Sequence, residues 1–301
     1  MKPTDLTREL REIGCTVKEN EPMSTHTSFK IGGAADLFVT VSDREAAAAV
    51  LRLCMQENVP LMVVGNGSNL LVSDAGIDGV VMRPEAEEHA ITINGTSLTA
   101  TAGVSLKKVC MAACEAGLSG LEFAYGIPGT VGGGVYMNAG AYGGELSDTV
   151  VSVTILERDG SVRELSASEM KFGYRHSVLM EQPWMVWAVT FELKAGDAVA
   201  IRAQMEQHMA ARKEKQPLEY PSGGSFFKRP TGHFAGALIE QSGLKGFTVG
   251  GAQVSEKHAG FVINRGGATC EDVMTLCHAV QEKVMQTFGV QLEREVQRIG
   301  R

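Results

Sequence analysis

Residues 125–146 read YGIPGTVGGGVYMNAGAYGGEL, with eight glycines, one proline and almost no charge in 22 residues. Such a run weakens a packed core, because glycine loses the most backbone entropy on folding, unless backbone has to approach something closely. A mobile surface loop is the alternative. Against it, Ile127, Val131, Val135, Tyr136 and Met137 are interleaved with the glycines, whereas mobile linkers are polar throughout. A flat, polar cofactor would supply the reason for the close approach.

A second glycine-rich segment lies upstream. Residues 63–72 read VVGNGSNLLV, an apolar strand running straight into Gly65, Asn66, Gly67, Ser68 and Asn69. Glycine and asparagine tolerate positive φ, so successive N–H groups can turn inward as an anion-binding nest suited to a pyrophosphate. An ordinary strand-ending turn has the same composition. Leu70 stands where a GxGxxG fingerprint needs its third glycine, and no GxxxxGK[ST] occurs, which disfavours Rossmann and P-loop sites.

A chain of 301 residues exceeds what one core of up to ~250 residues usually holds, so about two domains and a ligand cleft are expected. A net charge of -7 without a basic run argues against nucleic-acid or anionic-membrane partners. The N-terminal MKPTDLTRELREIG lacks the apolar core of a signal peptide, and no segment approaches the ~18 apolar residues of a membrane span. A cytoplasmic protein is expected. Cys15, Cys54, Cys110, Cys114, Cys270 and Cys277 are scattered, which suits buried reduced thiols, and no cysteine or histidine set has zinc-ligand spacing.

Along the chain, Ser42 and Glu45 form a capping box before AAAAVLRLCMQEN, and LMVVG reads as a buried strand. Two alternating runs flank Asn94-Gly95, a hairpin signal in which both central residues take positive φ. Ser105 opens a helix closed near Gly117. Strands follow from Thr149, with a turn at Arg158-Asp159-Gly160 and a capping pair Ser166 and Glu169. A polar-faced helix spans about 197–215, and Thr269 caps another. Helices and strands mix without a βαβ beat, so the class is α+β, with a boundary near residue 195: residues 1–194 and 195–301.

Three further segments carry chemistry: FGYRHS (172–177), GGSFFKRP (223–230) and LEREV (292–296). Arg175 beside Tyr174 has the planar fork that holds carboxylates, although a surface ion pair is the commoner use. Ser225 follows two glycines and precedes Lys228 by three residues, without the GxSxG elbow of a hydrolase; a turn serine is the alternative. By strand alternation Glu295 is a solvated residue opposite Leu292, Arg294, Val296 and Arg298. His26, His89, His176, His208, His233, His258 and His278 form no close pair with serine or cysteine, so no triad is argued.

Taken together, GNGSN, IPGTVGG with MNAGAYG, FGYRHS, GGSFFKRP, LIEQSGLKG (238–246), HAGFVIN (258–264) and LEREV resemble, in order and spacing over nearly the whole chain, the UDP-N-acetylenolpyruvoylglucosamine reductases of peptidoglycan precursor synthesis. The resemblance implies a vanillyl-alcohol-oxidase-type flavin domain in two lobes, split near 60–85, and a smaller C-terminal α+β substrate domain whose last strand packs near the FAD site. Noncovalent FAD would lie across both loops, at Gly65, Asn66, Gly67, Ser68 and Asn69 and at Gly126, Pro128, Gly129, Thr130, Gly133, Asn138, Gly140 and Ala141. NADPH would reduce the flavin; the enolpyruvyl sugar nucleotide would then take hydride at C3.

By the same resemblance, Arg175 and Glu295, the latter as a neutral donor, would stabilise the enolate, and Ser225 would protonate C2. Tyr174, Lys228 and Gln241 would bind substrate. The family often has alanine at the position of Gly134, and the segment after Gly246 is short for the tyrosine-bearing loop of longer members, so the chain resembles the shorter variant. A monomer or weak dimer is expected. Two other readings fit the loops alone: another FAD-dependent oxidase of this fold, though no histidine stands beside the phosphate loop to bind flavin covalently, and a noncatalytic nucleotide-binding module.

Overall fold

The computed structural model describes residues 3–86 and 90–301; His89 lies outside them. The chain divides into two compact units, each assembled from separated segments. Met1–Glu19, Leu37–Asn66 and Gly79–Ala211 form the first, and Asn20–Asp36, Gly67–Asp78 and Arg212–Arg301 the second. The class is α+β, as expected.

The first unit holds an antiparallel five-stranded sheet in the order Val162–Ser166, Val150–Leu156, Met185–Glu192, Ser97–Thr101, Ile91–Asn94. Alternation along the central strands turns Val153, Ile155, Val189 and Phe191 inward, all fully buried. They share one apolar cluster with Leu106, Val109 and Ala113 of the helix Leu106–Glu115 and with Val131 and Val135 of the short helix Val131–Tyr136. Each such valine, leucine, isoleucine or phenylalanine side chain contributes about 1.5–3 kcal/mol by leaving water. A second cluster collects Leu10, Val39, Val50, Leu51, Val80 and Met82, and Leu61–Val63 pairs in parallel with Val80–Met82. The second unit holds the antiparallel sheet Ser222–Ser225, Phe261–Asn264, Ala252–Val254, Thr248–Val249. The helix Cys270–Phe288 contributes Val273, Leu276, Cys277, Val280 and Val284 to that unit's core.

Local chemistry sets the helix ends. Ser105 accepts from the Lys108 N–H, and the Thr269 and Asp272 side chains cap each other's backbone in a capping box ahead of a left-handed Gly289. Four expectations shift. The helix Arg44–Gln56 is capped by Asp43, not Ser42, because the Asp43 carboxylate accepts from Ala46 N–H at 2.8 Å. The hairpin closes on an Asn94–Ser97 pair, so its loop is Gly95-Thr96 and only Gly95 takes positive φ, at +61°. Leu61–Val63 is not buried: Val63 is 37% exposed. The alternation through 292–296 breaks: Arg294, on the face of buried Leu292 and Val296, is exposed, and regular pairing begins at Gln297.

All six cysteines are unpaired and buried. Burial pushes the thiols of Cys15 and Cys54 up to about 11 and those of Cys110 and Cys277 up to about 12, which keeps them protonated and inert.

Two glycines of the helix Val131–Tyr136 should respond differently to alanine. A methyl at Gly134 meets Leu146 Cδ1 at 2.9 Å and Leu106 Cδ1 at 3.2 Å, ends of side chains that can rotate. A methyl at Gly132 meets the Cβ of Ala102 at 2.9 Å, which cannot. Gly134→Ala should therefore change unfolding stability by less than about 1 kcal/mol, with helix propensity offsetting the repacking. Gly132→Ala should cost about 1–3 kcal/mol. Urea unfolding compares them, and equal losses would show that the Ala102 wall is not the cause.

Candidate functional site

In the first unit the two glycine-rich segments meet. Gly65 leaves no room for a side chain: a Cβ there would stand 2.5 Å from the Thr130 hydroxyl. Asn66 Nδ2 donates to the carbonyl of Pro128 at 3.1 Å. Thr130 is buried, its hydroxyl accepts from Gly133 N–H at 3.3 Å, and the backbone on either side pairs with residues 102–106. The second segment is thus an ordered turn and helix. Close approach explains Gly132, Gly134, Gly140 and Gly144, where a Cβ would lie within 3.0 Å of another atom, and positive φ explains Gly143, whereas Gly133 is exposed with only Thr130 Oγ1 near the site of a Cβ.

Of residues 65–69, Gly67 alone takes positive φ, at +60°, so the expectation that several residues there turn left-handed is corrected. Even so, no described residue accepts from the N–H of Gly65, Asn66, Gly67 or Ser68, nor from Gly126 or Gly129. Unspent amides without side chains in the way are what a pyrophosphate needs. In this respect the residues present fit a dinucleotide cofactor.

Gly140 and Ala141 pair with Gly144 and Glu145 in a small hairpin turned by Tyr142 and Gly143, with φ +52° and +88°. The Tyr142 ring stacks on His208 at 4.4 Å. Asn138 is not placed as a cofactor contact through its side chain, which is fully buried and spent on Gly173 and Ser147.

Tyr174 and Arg175 form the tip of a tight turn in which Gly173 and His176 exchange N–H···O bonds of 3.1 Å. Arg175 sits at φ +53°, a conformation that costs a side-chain-bearing residue about 1–2 kcal/mol. Its Nη2 donates to the Gly140 carbonyl at 2.8 Å, and its guanidinium carbon lies 5.1 Å from the half-exposed Tyr174 ring.

The second unit assembles Ser225, Glu295 and Asn69. Between Ser222 and Ser225 the pairing with Phe261–Asn264 slips by one residue, a bulge made possible by Gly224 at φ +83°. The bulge leaves Ser225 exposed while Phe226 enters the core. Phe226 O accepts from Glu295 N–H at 2.9 Å, so Ser225 and Glu295 lie on adjoining segments. Asn69 Nδ2 donates to Glu295 O at 3.1 Å, and Gln297 N–H donates to Asn69 O at 3.0 Å. Glu295 is half-buried, where simple alternation expected a solvated residue.

Lys228 donates through its backbone to Glu293 O at 2.8 Å, and its ammonium stands 3.4 Å from the exposed Glu293 carboxylate. Gln241 ends the helix Ala235–Gln241, exposed. Burial lowers the pKa of His258, whose Nδ1 accepts from Gly260 N–H at 3.1 Å, so the HAGFVIN histidine is a neutral structural group.

Residues 24–28, STHTS, were not singled out by sequence, yet in the second unit they wall the first glycine segment. A Cβ on Gly67 would run into the His26 carbonyl, and Ser28 N–H donates to Gly67 O at 3.3 Å. The signal was available as a polar run ahead of Gly32-Gly33.

A family model described as FAD binding domain matches residues 35–166, and one described as UDP-N-acetylenolpyruvoylglucosamine reductase, C-terminal domain, matches 216–299. The UDP-N-acetylenolpyruvoylglucosamine reductase of Lachnoclostridium phytofermentans is 49% identical over 299 residues, covering 97% of this chain and 96% of the relative. That of Pediococcus pentosaceus is 50% identical over 284 residues, covering 94% of each. The crystal structure of the Thermus caldophilus reductase superposes with a TM-score of 0.80 at 36% identity, covering 94% of this chain and 98% of its own.

Gly65→Ala should push Thr130 away and open the contact between the two segments. The purified protein should carry at least about fivefold less flavin absorbance per chain at unchanged far-ultraviolet circular dichroism, since one methyl at a close-packed contact forces backbone to move. Full flavin content in this variant would show that the contact does not shape the site.

Proposed function

The chain belongs to the UDP-N-acetylenolpyruvoylglucosamine reductase family, and from that membership we propose that it reduces the enolpyruvyl group of UDP-N-acetylglucosamine enolpyruvate to UDP-N-acetylmuramate in peptidoglycan precursor synthesis. It is a flavoenzyme whose cofactor is FAD. NADPH is the reductant in this proposal. A cytoplasmic location and a monomeric or weakly dimeric state belong to the same proposal, as does the division into a flavin-binding part, residues 1–194, and a substrate-binding part, 195–301. No helix among the described residues is long and apolar enough to cross a membrane.

The observation that supports the chemistry best is the bulge at Gly223-Gly224, which exposes Ser225 beside the segment carrying Glu295. Gly65, Asn66, Gly67 and Ser68 would hold the cofactor's pyrophosphate through their amides, with Gly126, Pro128, Gly129, Thr130 and Gly133 supplying the second wall. When bound, FAD supplies the hydride that adds to the substrate's C3.

The protein's own work concerns the charge left behind, which spreads from C2 into the substrate carboxylate. Arg175 would balance it with a guanidinium already positioned by its turn, and Glu295 would stabilise it by donating a hydrogen bond. Ser225 would deliver its hydroxyl proton to C2. A hydroxyl is a weak acid, so this step depends on a strongly basic enolate carbon and a donor held in place. Tyr174, Lys228 and Gln241 would orient the sugar nucleotide.

The first test is a visible spectrum of the purified protein, which should show flavin bands that bleach with NADPH under anaerobic conditions and return when the enolpyruvyl sugar nucleotide is added. A colourless protein that takes up no added FAD would overturn the proposal. Ser225→Ala and Glu295→Gln, each still holding FAD, should slow substrate-dependent reoxidation by roughly 10² or more. Rates within about threefold of normal would remove these residues from the mechanism.

A further inference from the structure

Of the polar groups in the first unit, two are fully buried and satisfied yet touch nothing that the proposed chemistry uses directly. Asn138 is 0% exposed: its Nδ2 donates to Gly173 O at 3.0 Å and to Ser147 Oγ at 3.3 Å, while its Oδ1 accepts from Ser147 N–H at 2.9 Å. Ser177, also 0% exposed, donates from its hydroxyl to Tyr136 O at 2.7 Å. Gly173 and Ser177 bracket the turn whose tip is Tyr174 and Arg175. Arg175 is tied in turn to Gly140 O. All three ties therefore end on residues 136–140, the middle of the second glycine-rich segment.

We infer that Asn138 and Ser177 are positioning residues for Arg175, so that the second glycine-rich segment is the mould on which the arginine is held. The inference rests on the role proposed above for Arg175. Arg175 occupies a left-handed backbone conformation, which a side-chain-bearing residue keeps only where its surroundings hold it, here the Gly173–His176 backbone pair together with the ties of Asn138 and Ser177. Asn138 is itself left-handed, at φ +42°. Glycine would meet that backbone requirement at no steric cost, so the carboxamide accounts for asparagine at this position. Misplacing a catalytic group by about 1 Å can cost ~10² in rate, so loss of either stem tie should be read at the step Arg175 serves.

That step separates this role from a merely structural one. Arg175 would act on the substrate's developing charge and not in reduction of the flavin by NADPH. Asn138→Asp sets a carboxylate oxygen against the Gly173 carbonyl, and Ser177→Ala removes the second tie with the loss of one oxygen. In anaerobic stopped-flow of the FAD-loaded protein, each variant should be reduced by NADPH within about twofold of normal and be reoxidised by the enolpyruvyl sugar nucleotide at least about tenfold more slowly. In an Arg175→Ala background, the same changes should add less than about twofold, because residues that act through one group are not additive.

Equal slowing of both half-reactions, or undiminished slowing in the Arg175→Ala background, would overturn the inference while leaving Arg175's role intact. Normal reoxidation in both stem variants would do the same. If Arg175→Ala alone reoxidises normally, the role of Arg175 fails and the inference with it. Ser177→Ala decides the matter should Asn138→Asp fold poorly.

Discussion

The close approach of Gly65 to the Thr130 hydroxyl is the contact on which the organisation of the first unit turns. Thr130 caps the short helix Val131–Tyr136, its neighbours pair with the chain entering the helix Leu106–Glu115, and its hydroxyl leaves no space for a side chain at Gly65. Asn66, bonded to Pro128, extends the contact. Gly65 and Asn66 of the upstream segment and Pro128 and Thr130 of the second segment are thus one construction, in which no side chain at Gly65 separates the two backbones. A flavin's pyrophosphate and ring need such a surface: donors without side chains, held by buried groups behind them.

The second unit reaches a comparable end by different means. There the glycines at 223 and 224 introduce a bulge, and the extra residue sends Ser225 outward while Phe226 enters the core against Phe29. Phe226 also accepts the backbone hydrogen bond of Glu295, so a core residue fixes the backbone of both Ser225 and Glu295. Asn69 holds Glu295 from the other side. In both units, therefore, the residues proposed for the chemistry stand on strained or irregular backbone, which the surrounding core must over-determine.

Much of this was legible beforehand because the relevant physics is local. The caps at Ser105 and Thr269, the β-rich middle of the chain and the buried, unreactive cysteines follow from spacing and burial rules. The glycine-rich segments announced close backbone approach through composition alone, and the order of motifs named the family. What misled was also local. Asp43 displaced Ser42 because two good capping residues stood side by side. Gly95-Thr96 displaced Asn94-Gly95 because register depends on which residues pair across the strands. Alternation at 292–296 failed because single bridges, not a regular ladder, hold Glu295.

Asn138 shows where reading from sequence stops. Its motif is evident, but only the fold reveals that its carboxamide is consumed by Gly173 and Ser147, which is the ground for the positioning role inferred above. The same holds for residues 20–36 and 67–78, which cluster in one compact unit with 212–301 despite their distance in sequence. By itself, then, the sequence determined the fold class, the close backbone approach of the glycine-rich segments and, through the order of its motifs, the family and its flavin, since these reside in residue type, short spacing and motif order. Which backbone carbonyl each buried polar group satisfies, and so which residues touch ligand and which only position others, was decided by tertiary structure, because those partners lie tens to hundreds of residues away and no local rule ranks them.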